Sequence, residues 1–185
     1  MKRMASVLLA LSLTACNSDN FETVSSTAPR PAVTQNAEFP FTPREFAEAF
    51  NTAARLYDKP FQIAHIEVRH GAVQDYFQQI LDTGISLTAG VSKETGRITS
   101  ITALVNRHGA LQDRELMLAI SEIVTTATNP TLSTDRIAGI VASMLQELSP
   151  AEEGRDFPQR FINQVRYVVR SDRSVGYWWI ANPIE

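Results

Sequence analysis

The sequence contains a single cysteine, Cys16, and carries little net charge. One thiol excludes an intramolecular disulfide and a zinc site built from cysteines. The formal charge of −3 over 185 residues lacks the basic excess of a nucleic-acid-binding domain, so no nucleic acid is expected as a partner. A folded domain in this chain must therefore be stabilised by core packing alone.

Motifs with a known chemistry are also absent. The chain has no nucleophile elbow, P-loop, dinucleotide fingerprint or Cys/His metal array. Its three histidines are scattered, whereas a metal site needs several ligands at recognisable spacing. We therefore expect no metal and no cofactor, and we expect binding rather than catalysis.

Long hydrophobic runs are missing as well. The most apolar stretch, Met4 to Leu13, follows Lys2 and Arg3 and precedes Thr14 and Ala15. It is far shorter than the roughly 20 residues that a membrane-spanning helix requires. Two cations, a short apolar core and small residues are typical of a secretory signal peptide, here residues 1–15.

The end of this segment, Leu13-Thr14-Ala15-Cys16, resembles the lipobox of bacterial lipoproteins. The resemblance implies cleavage before Cys16 and acylation of that cysteine, which would anchor the protein to a membrane of the cell envelope. Asn17 follows the cysteine. In enterobacterial members of this family an aspartate at that position favours retention in the inner membrane, so the resemblance favours the outer membrane here. The alternative is an ordinary cleaved signal with a chance cysteine.

Residues 16–38 are expected to form a flexible tether. They are rich in Ser, Thr, Asn, Ala and Pro, a composition that buries too little apolar surface to offset the entropy of ordering. Residues 39–185 are then long enough for one ordinary domain with its own core.

Three helices are predicted in this domain. The first has Thr42 as N-cap, Pro43 at its first position and Glu45 three residues after the cap, and it stops before Pro60. Apolar residues at helical spacing predict a second helix from Asp113 to Ala127 and a third from Ser133 to Leu148. The short link between the last two predicts an antiparallel helical hairpin.

Strands are predicted where the apolar period changes to two. Four such segments precede the helical hairpin: Ala64 to Val68, Tyr76 to Leu81, Ile85 to Val91 and Ile98 to Val105. A helix is the alternative for Tyr76 to Leu81, and a tight turn containing Gly96 joins the last two segments. Val165 to Arg170 and Val175 to Ala181 follow it, and residues 151–159 are expected to form a surface loop. The fold class is therefore α+β, with a mainly antiparallel sheet of about five to six strands.

One short sequence occurs almost twice. Arg69-His70-Gly71 and Arg107-His108-Gly109 each follow a predicted strand. Arg-His-Gly after a strand resembles the signature of histidine phosphatases, which implies His70 as nucleophile and Arg69 as a phosphate ligand, with Arg107 and His108 as further candidates. Two features depart from that family. Val73 stands where the family has a second arginine, and the family's fold alternates strands and helices, which this sequence does not. The alternative is a shared strand-exit turn at the surface.

The last strand contains Tyr177-Trp178-Trp179. Neighbouring residues of a strand point to opposite faces of the sheet. One tryptophan can therefore enter the core while the other lies on the outer face, unless helices cover both faces. An exposed tryptophan near arginines is a typical anchor for a protein partner.

Three functions remain open at this point. A protein-binding lipoprotein, as an accessory subunit or an inhibitor or immunity-type module, would show an exposed aromatic patch. An envelope hydrolase would bring Arg69, His70, Arg107 and His108 into one cleft. A carrier of a small ligand or lipid would have a large apolar cavity between sheet and helices.

Overall fold

The structure is a computed structural model that describes residues 37–106, 110–148, 157–172 and 174–185. Within these ranges it has three helices and six strands. The helices are α1 (Pro43–Leu56), α2 (Ala110–Thr128) and α3 (Thr134–Glu147); the strands are β1 (Asp75–Asp82), β2 (Ile85–Val91), β3 (Ile98–Asn106), β4 (Gln159–Ile162), β5 (Val165–Asp172) and β6 (Gly176–Pro183). The predicted α+β class with an N-terminal helix is confirmed.

The six strands form one antiparallel sheet in the order β1-β2-β3-β6-β5-β4. It consists of two three-stranded meanders, β1-β2-β3 and β4-β5-β6, which meet where β3 pairs with β6. The α2–α3 hairpin lies between the two meanders along the chain. As a result β6, which carries both tryptophans, lies in the middle of the sheet.

All three helices contact the same face of this sheet. The ring of Phe46 in α1 lies 6.5 Å from that of Phe77 in β1. Thr128 at the end of α2 contacts Tyr167 in β5, and Arg160, which pairs with Tyr167 across β4 and β5, forms an ion pair with α3. The domain therefore has two layers, and its core lies between the helices and one side of the sheet.

The sequence signals for α1 and for the β2–β3 turn are confirmed. The backbone N–H of Thr42 donates to Glu45 Oε2 over 2.8 Å, and the Thr42 hydroxyl accepts from the backbone N–H of Glu45 over 3.4 Å. These two bonds form a capping box. Gly96 has a φ of +70°, the left-handed conformation that the tight turn requires.

The predicted strand from Ala64 to Val68 is wrong. The side chain of Asn51 in α1 bonds both backbone groups of Ile63, at 2.8 and 3.0 Å. Ile63 is buried, whereas Ala64 and Val68 are exposed. The segment is thus held beside α1 without strand pairing, and of the three residues that alternation predicted to be buried only Ile66 packs against the core.

Two boundaries also differ from the sequence interpretation. The predicted surface loop contains the start of β4, a short edge strand that pairs with β5, so three strands follow the helical hairpin instead of two. Asp113, predicted as the cap of α2, lies inside the first turn of that helix. An acid in a first turn interacts favourably with the helix dipole, so the same residue type fits both positions. Ser133 caps α3 as predicted.

No helix in the described ranges combines the length and the apolar character needed to cross a membrane.

Candidate functional site

On the face that meets the helices, β5 and β6 each contribute one large aromatic side chain. Tyr167 and Trp179 are fully buried, with ring centroids 5.7 Å apart. The phenol oxygen of Tyr167 lies 2.5 Å from Thr128 Oγ1 and accepts a hydrogen bond from Asn129 Nδ2 over 2.5 Å. Burial raises the pKa of Tyr167 to about 12, against the effect of these two bonds. This cluster fastens α2 to the sheet and lies too deep to contact a partner.

The opposite side of the sheet, here called the open face, faces away from all three helices. Its side chains are half-buried or exposed. Strand alternation and the pairing registers place the following residues on it: Tyr76, Gln78, Ile80, Ser86, Thr88, Ser100, Thr102, Leu104, Asn106, Gln159, Phe161, Arg166, Val168, Arg170, Asp172, Trp178, Ile180 and Asn182.

Trp178 lies near the middle of the open face. Its cross-strand neighbours are Leu104 in β3 and Arg170 in β5, and directly opposite residues of antiparallel strands are about 5 Å apart. The same row continues across β2 to Ile80 in β1, whose residue surface is 64% exposed. The row thus combines an aromatic side chain, two aliphatic side chains, the hydroxyl of Ser86 in β2 and a cation.

Two arginines of β5 lie on the open face, Arg170 within this row and Arg166 outside it. The guanidinium carbon of Arg170 lies 4.3 Å from the ring centroid of Phe157, a cation–π contact. Arg166 is exposed and pairs with Phe161, which is 61% exposed. In the described part of the chain, neither arginine forms an ion pair with a carboxylate, whereas Arg160 on the helical side pairs with Glu147.

The three aromatic residues singled out in the sequence therefore separate. Trp178 lies on the open face, and Trp179 is part of the core. Tyr177 points to the helical side, where it lines a small cleft with residues of α2 and α3. The prediction that the two tryptophans face opposite sides is confirmed, but Trp179 and Tyr177 do not share a surface with Trp178.

His70 and Arg69 lie at the surface, next to the start of β1. Arg69 pairs with Tyr76 through two backbone hydrogen bonds of 2.7 and 2.9 Å. The His70 Nδ1 atom is 3.0 Å from Asp75 Oδ2, and 89% of the His70 side chain is exposed. Such exposure is unusual for a catalytic histidine, which normally lies in a cleft.

Asp75 organises this turn. Its other oxygen accepts from the backbone N–H of Gly71 over 3.3 Å and lies 3.5 Å from Lys93 Nζ. Burial acts to raise the pKa of Asp75, but the His70 hydrogen bond, the Gly71 N–H and the Lys93 charge together lower it below its usual range. The arrangement is a histidine held by a carboxylate at a strand entry.

Several predicted residues lie outside the described residues. Arg107 and His108 belong to this group, so their position relative to Arg69 and His70 is not described. Cys16, together with the predicted signal peptide and most of the tether, also belongs to it.

A cleft lies between α1 and the segment after it. Its volume is about 430 Å³, and it is lined by Arg44, Ala47, Glu48, Asn51 and residues 63–66. In the described ranges, no group of three or more His, Cys, Asp or Glu side chains is arranged to hold a metal ion.

Comparisons with protein-family models, with curated proteins and with solved structures give no match for this chain.

Sequence reasoning identified Trp178 but missed the composition of the surface around it. Arg166 and Arg170 alternate with the buried Val165, Tyr167 and Val169, so their outward direction was readable from the sequence. Phe157 lay in the predicted loop and Phe161 between that loop and the next predicted strand, and only the pairing of β4 with β5 brings them to the arginines.

Proposed function

We propose that the protein is a bacterial envelope lipoprotein whose folded domain binds another protein through the open face. The observation that carries the binding half of the proposal is the half-buried Trp178, which lies among Leu104, Ile180 and Arg170 on a sheet face without helices. Tryptophan and arginine are the residues most enriched at the energetic centres of protein interfaces.

The anchoring half of the proposal comes from the sequence. Acyl chains on Cys16 would hold the protein at the membrane, and residues 17–38 would let the domain extend from the bilayer. At ~3.3 Å per residue this tether could reach on the order of 70 Å. The residue after the cysteine is Asn17 and not the aspartate that favours inner-membrane retention. This supports the outer membrane, with the domain facing the periplasm or the exterior.

The anchor is tested by growing the bacterium with an alkyne-bearing palmitate. We expect the wild-type protein to become labelled and to fractionate with membranes. The Cys16→Ser variant should remain unlabelled, and it should either retain its signal peptide or appear in the soluble envelope fraction. Equal labelling of both proteins would contradict lipidation at Cys16.

The binding function is tested by capture from detergent extracts of the envelope. Trp178→Ala is compared with Leu56→Ala, a matched loss of an exposed apolar side chain on α1, where Leu56 is 61% exposed. We expect a protein that is captured by the wild type and by Leu56→Ala but lost with Trp178→Ala, and that binds again as a purified protein. Capture that is independent of Trp178 would argue against the open face.

A phosphatase using His70 is the second candidate, because Asp75 holds its Nδ1 atom at 3.0 Å. This contact would leave Nε2 for attack on phosphorus. Hydrolysis of p-nitrophenyl phosphate by the wild type, and its loss in His70→Ala, would support this reading. A carrier function has less support, since fully buried side chains such as Met117, Ile120 and Trp179 occupy the space between α2 and the sheet.

A further inference from the structure

We infer that the partner bound by the open face presents an acidic, partly apolar protein segment, with Arg166 and Arg170 receiving its carboxylates and Trp178 packing on its apolar side chains. This inference rests on the proposed function and adds the chemistry of the partner. It is drawn from the charges, the spacing and the apolar content of the open face.

The open face is locally cationic on a protein whose formal charge is −3. Arg166 and Arg170 are the two cations that the strands place there. The strands place one acid on the same side, Asp172 at the end of β5, and its Oδ1 atom accepts from the backbone N–H groups of Ser174 and Val175 over 2.7 and 3.1 Å. That carboxylate shapes the turn into β6 at the margin of the face. A partner that supplies carboxylates would therefore complement the charge of the open face.

The two arginines have a defined separation. They are four residues apart on β5, so their backbones are about 13 Å apart along the strand. Two carboxylates eight residues apart on one helix face are separated by about 12 Å, and carboxylates four residues apart on an extended strand by about 13 Å. An acidic helix or strand lying along β5 could thus reach both guanidinium groups at once.

The residues between and beside the arginines favour a protein over a polyanion. Val168 lies between them on β5, and its cross-strand neighbour in β6 is Ile180. A phosphate polymer or an anionic bilayer is normally bound by a larger group of cations, four to eight in the lipid case. Two arginines flanking apolar side chains instead match a segment in which acidic and apolar residues alternate.

The test uses the full-length mature protein and two synthetic peptides, one of alternating Glu and Phe and one in which Gln replaces every Glu. Binding is measured by fluorescence anisotropy at low and high salt, with phosphatidylglycerol vesicles as a separate probe. The variants are Arg166→Glu/Arg170→Glu, Arg166→Gln/Arg170→Gln and Trp178→Ala. Arg136→Glu is the matched control, since Arg136 is exposed in the first turn of α3, where an acid is tolerated.

We expect the Glu peptide to bind the wild type and Arg136→Glu equally and to bind the double charge-reversal variant on the order of tenfold more weakly. Binding should also weaken at high salt, because exposed charges are screened. The Gln peptide should bind more weakly than the Glu peptide to the wild type, and this difference should disappear in the Arg166→Gln/Arg170→Gln variant. The Arg166→Gln/Arg170→Gln variant provides a second, independent measurement if the charge reversal perturbs folding.

Equal binding of the two peptides, or no effect of either double variant, would overturn the acidic partner. If Trp178→Ala still abolished capture from the envelope extract in that case, the proposed function would stand with a neutral partner. If the wild type bound neither peptide but bound the phosphatidylglycerol vesicles through the arginines, the open face would be a membrane contact and this inference would be wrong. If the wild type and every variant captured no protein from the envelope extract and bound none of the probes, the proposed function itself would be wrong.

Discussion

At the scale of single residues, the phenol of Tyr167 joins the end of α2 to β5. It lies within 2.5 Å of both Thr128 Oγ1 and Asn129 Nδ2, and it is fully buried. Replacing it with phenylalanine would leave a buried hydroxyl and a buried amide without this partner, a loss of about 1–3 kcal/mol in the free energy of unfolding.

The raised pKa of Tyr167 predicts a loss of stability at alkaline pH. Its ordinary value is 10.0, and in the folded protein it is about 12. Below the lower of these pKa values, Tyr167 is protonated in both the folded and the unfolded state. Between the two pKa values it is protonated only in the folded state. The free energy of unfolding should therefore fall as the pH rises through this range, by up to ~3 kcal/mol. Urea unfolding at neutral pH and midway between the two values measures this fall.

Tyr167→Phe and Tyr177→Phe provide the comparison for this titration. Tyr167→Phe should be less stable at neutral pH but should lose less stability on alkaline titration than the wild type. Tyr177→Phe, which removes the hydroxyl of a partly exposed tyrosine in the neighbouring strand, is the matched control for the substitution itself. A wild-type alkaline slope in Tyr167→Phe would show that other groups cause the fall.

At the scale of elements, α1 is an amphipathic helix whose start is defined by its capping box. Thr42 and Glu45 satisfy each other's backbone N–H groups, while Phe46 and Phe50 are buried on the core side. Because α1 also holds the following segment through Asn51, its position influences the entry to β1.

We expect Thr42→Ala to lower the free energy of unfolding by about 1 kcal/mol, since the first turn loses its side-chain acceptor. The matched variant is Thr52→Ala in the exposed interior of the same helix, where alanine has the higher helix propensity and no loss is expected. Chemical denaturation of the two variants is the measurement. If Thr42→Ala and Thr52→Ala lowered the free energy of unfolding equally, the capping box would add no stability beyond that of a threonine in the helix interior.

At the scale of the whole molecule, the domain is a two-layer structure with one face of its sheet facing away from the helices. This arrangement separates stability from binding. Side chains such as Trp179 stabilise the core, whereas Trp178 and the arginines of β5 lie on the open face. Neighbouring positions in β6 should therefore respond to substitution in opposite ways.

Trp179→Ala is expected to cost about 3–5 kcal/mol of stability, because it leaves a cavity between the helices and the sheet. Trp178→Ala should cost less, about 1–2 kcal/mol, because its side chain is only half-buried, while it abolishes capture of the partner. Thermal or urea unfolding of both variants, measured beside the wild type, separates the two effects. Similar losses for both would indicate that the open face is covered in the intact protein.

The sequence by itself determined most of the elements. The capping box of α1, the turn glycine of the β2–β3 hairpin and the apolar stripes of the helices are local signals, and local backbone preferences and periodicity are sufficient to read them. The opposite directions of Trp178 and Trp179 also follow from strand geometry alone. The lipobox resemblance at Cys16 is likewise a sequence signal, and it stays a prediction.

Only the tertiary structure decided which alternating segments became strands and which face of the sheet the helices cover. The segment from Ala64 to Val68 has a strand-like period, but the side chain of Asn51 takes up the backbone groups of Ile63. Phe157 reaches Arg170 because β4 pairs with β5. Strand pairing and the contacts between helices and sheet join residues that are far apart in the chain. No local sequence pattern encodes these contacts, and the composition of the open face depends on them.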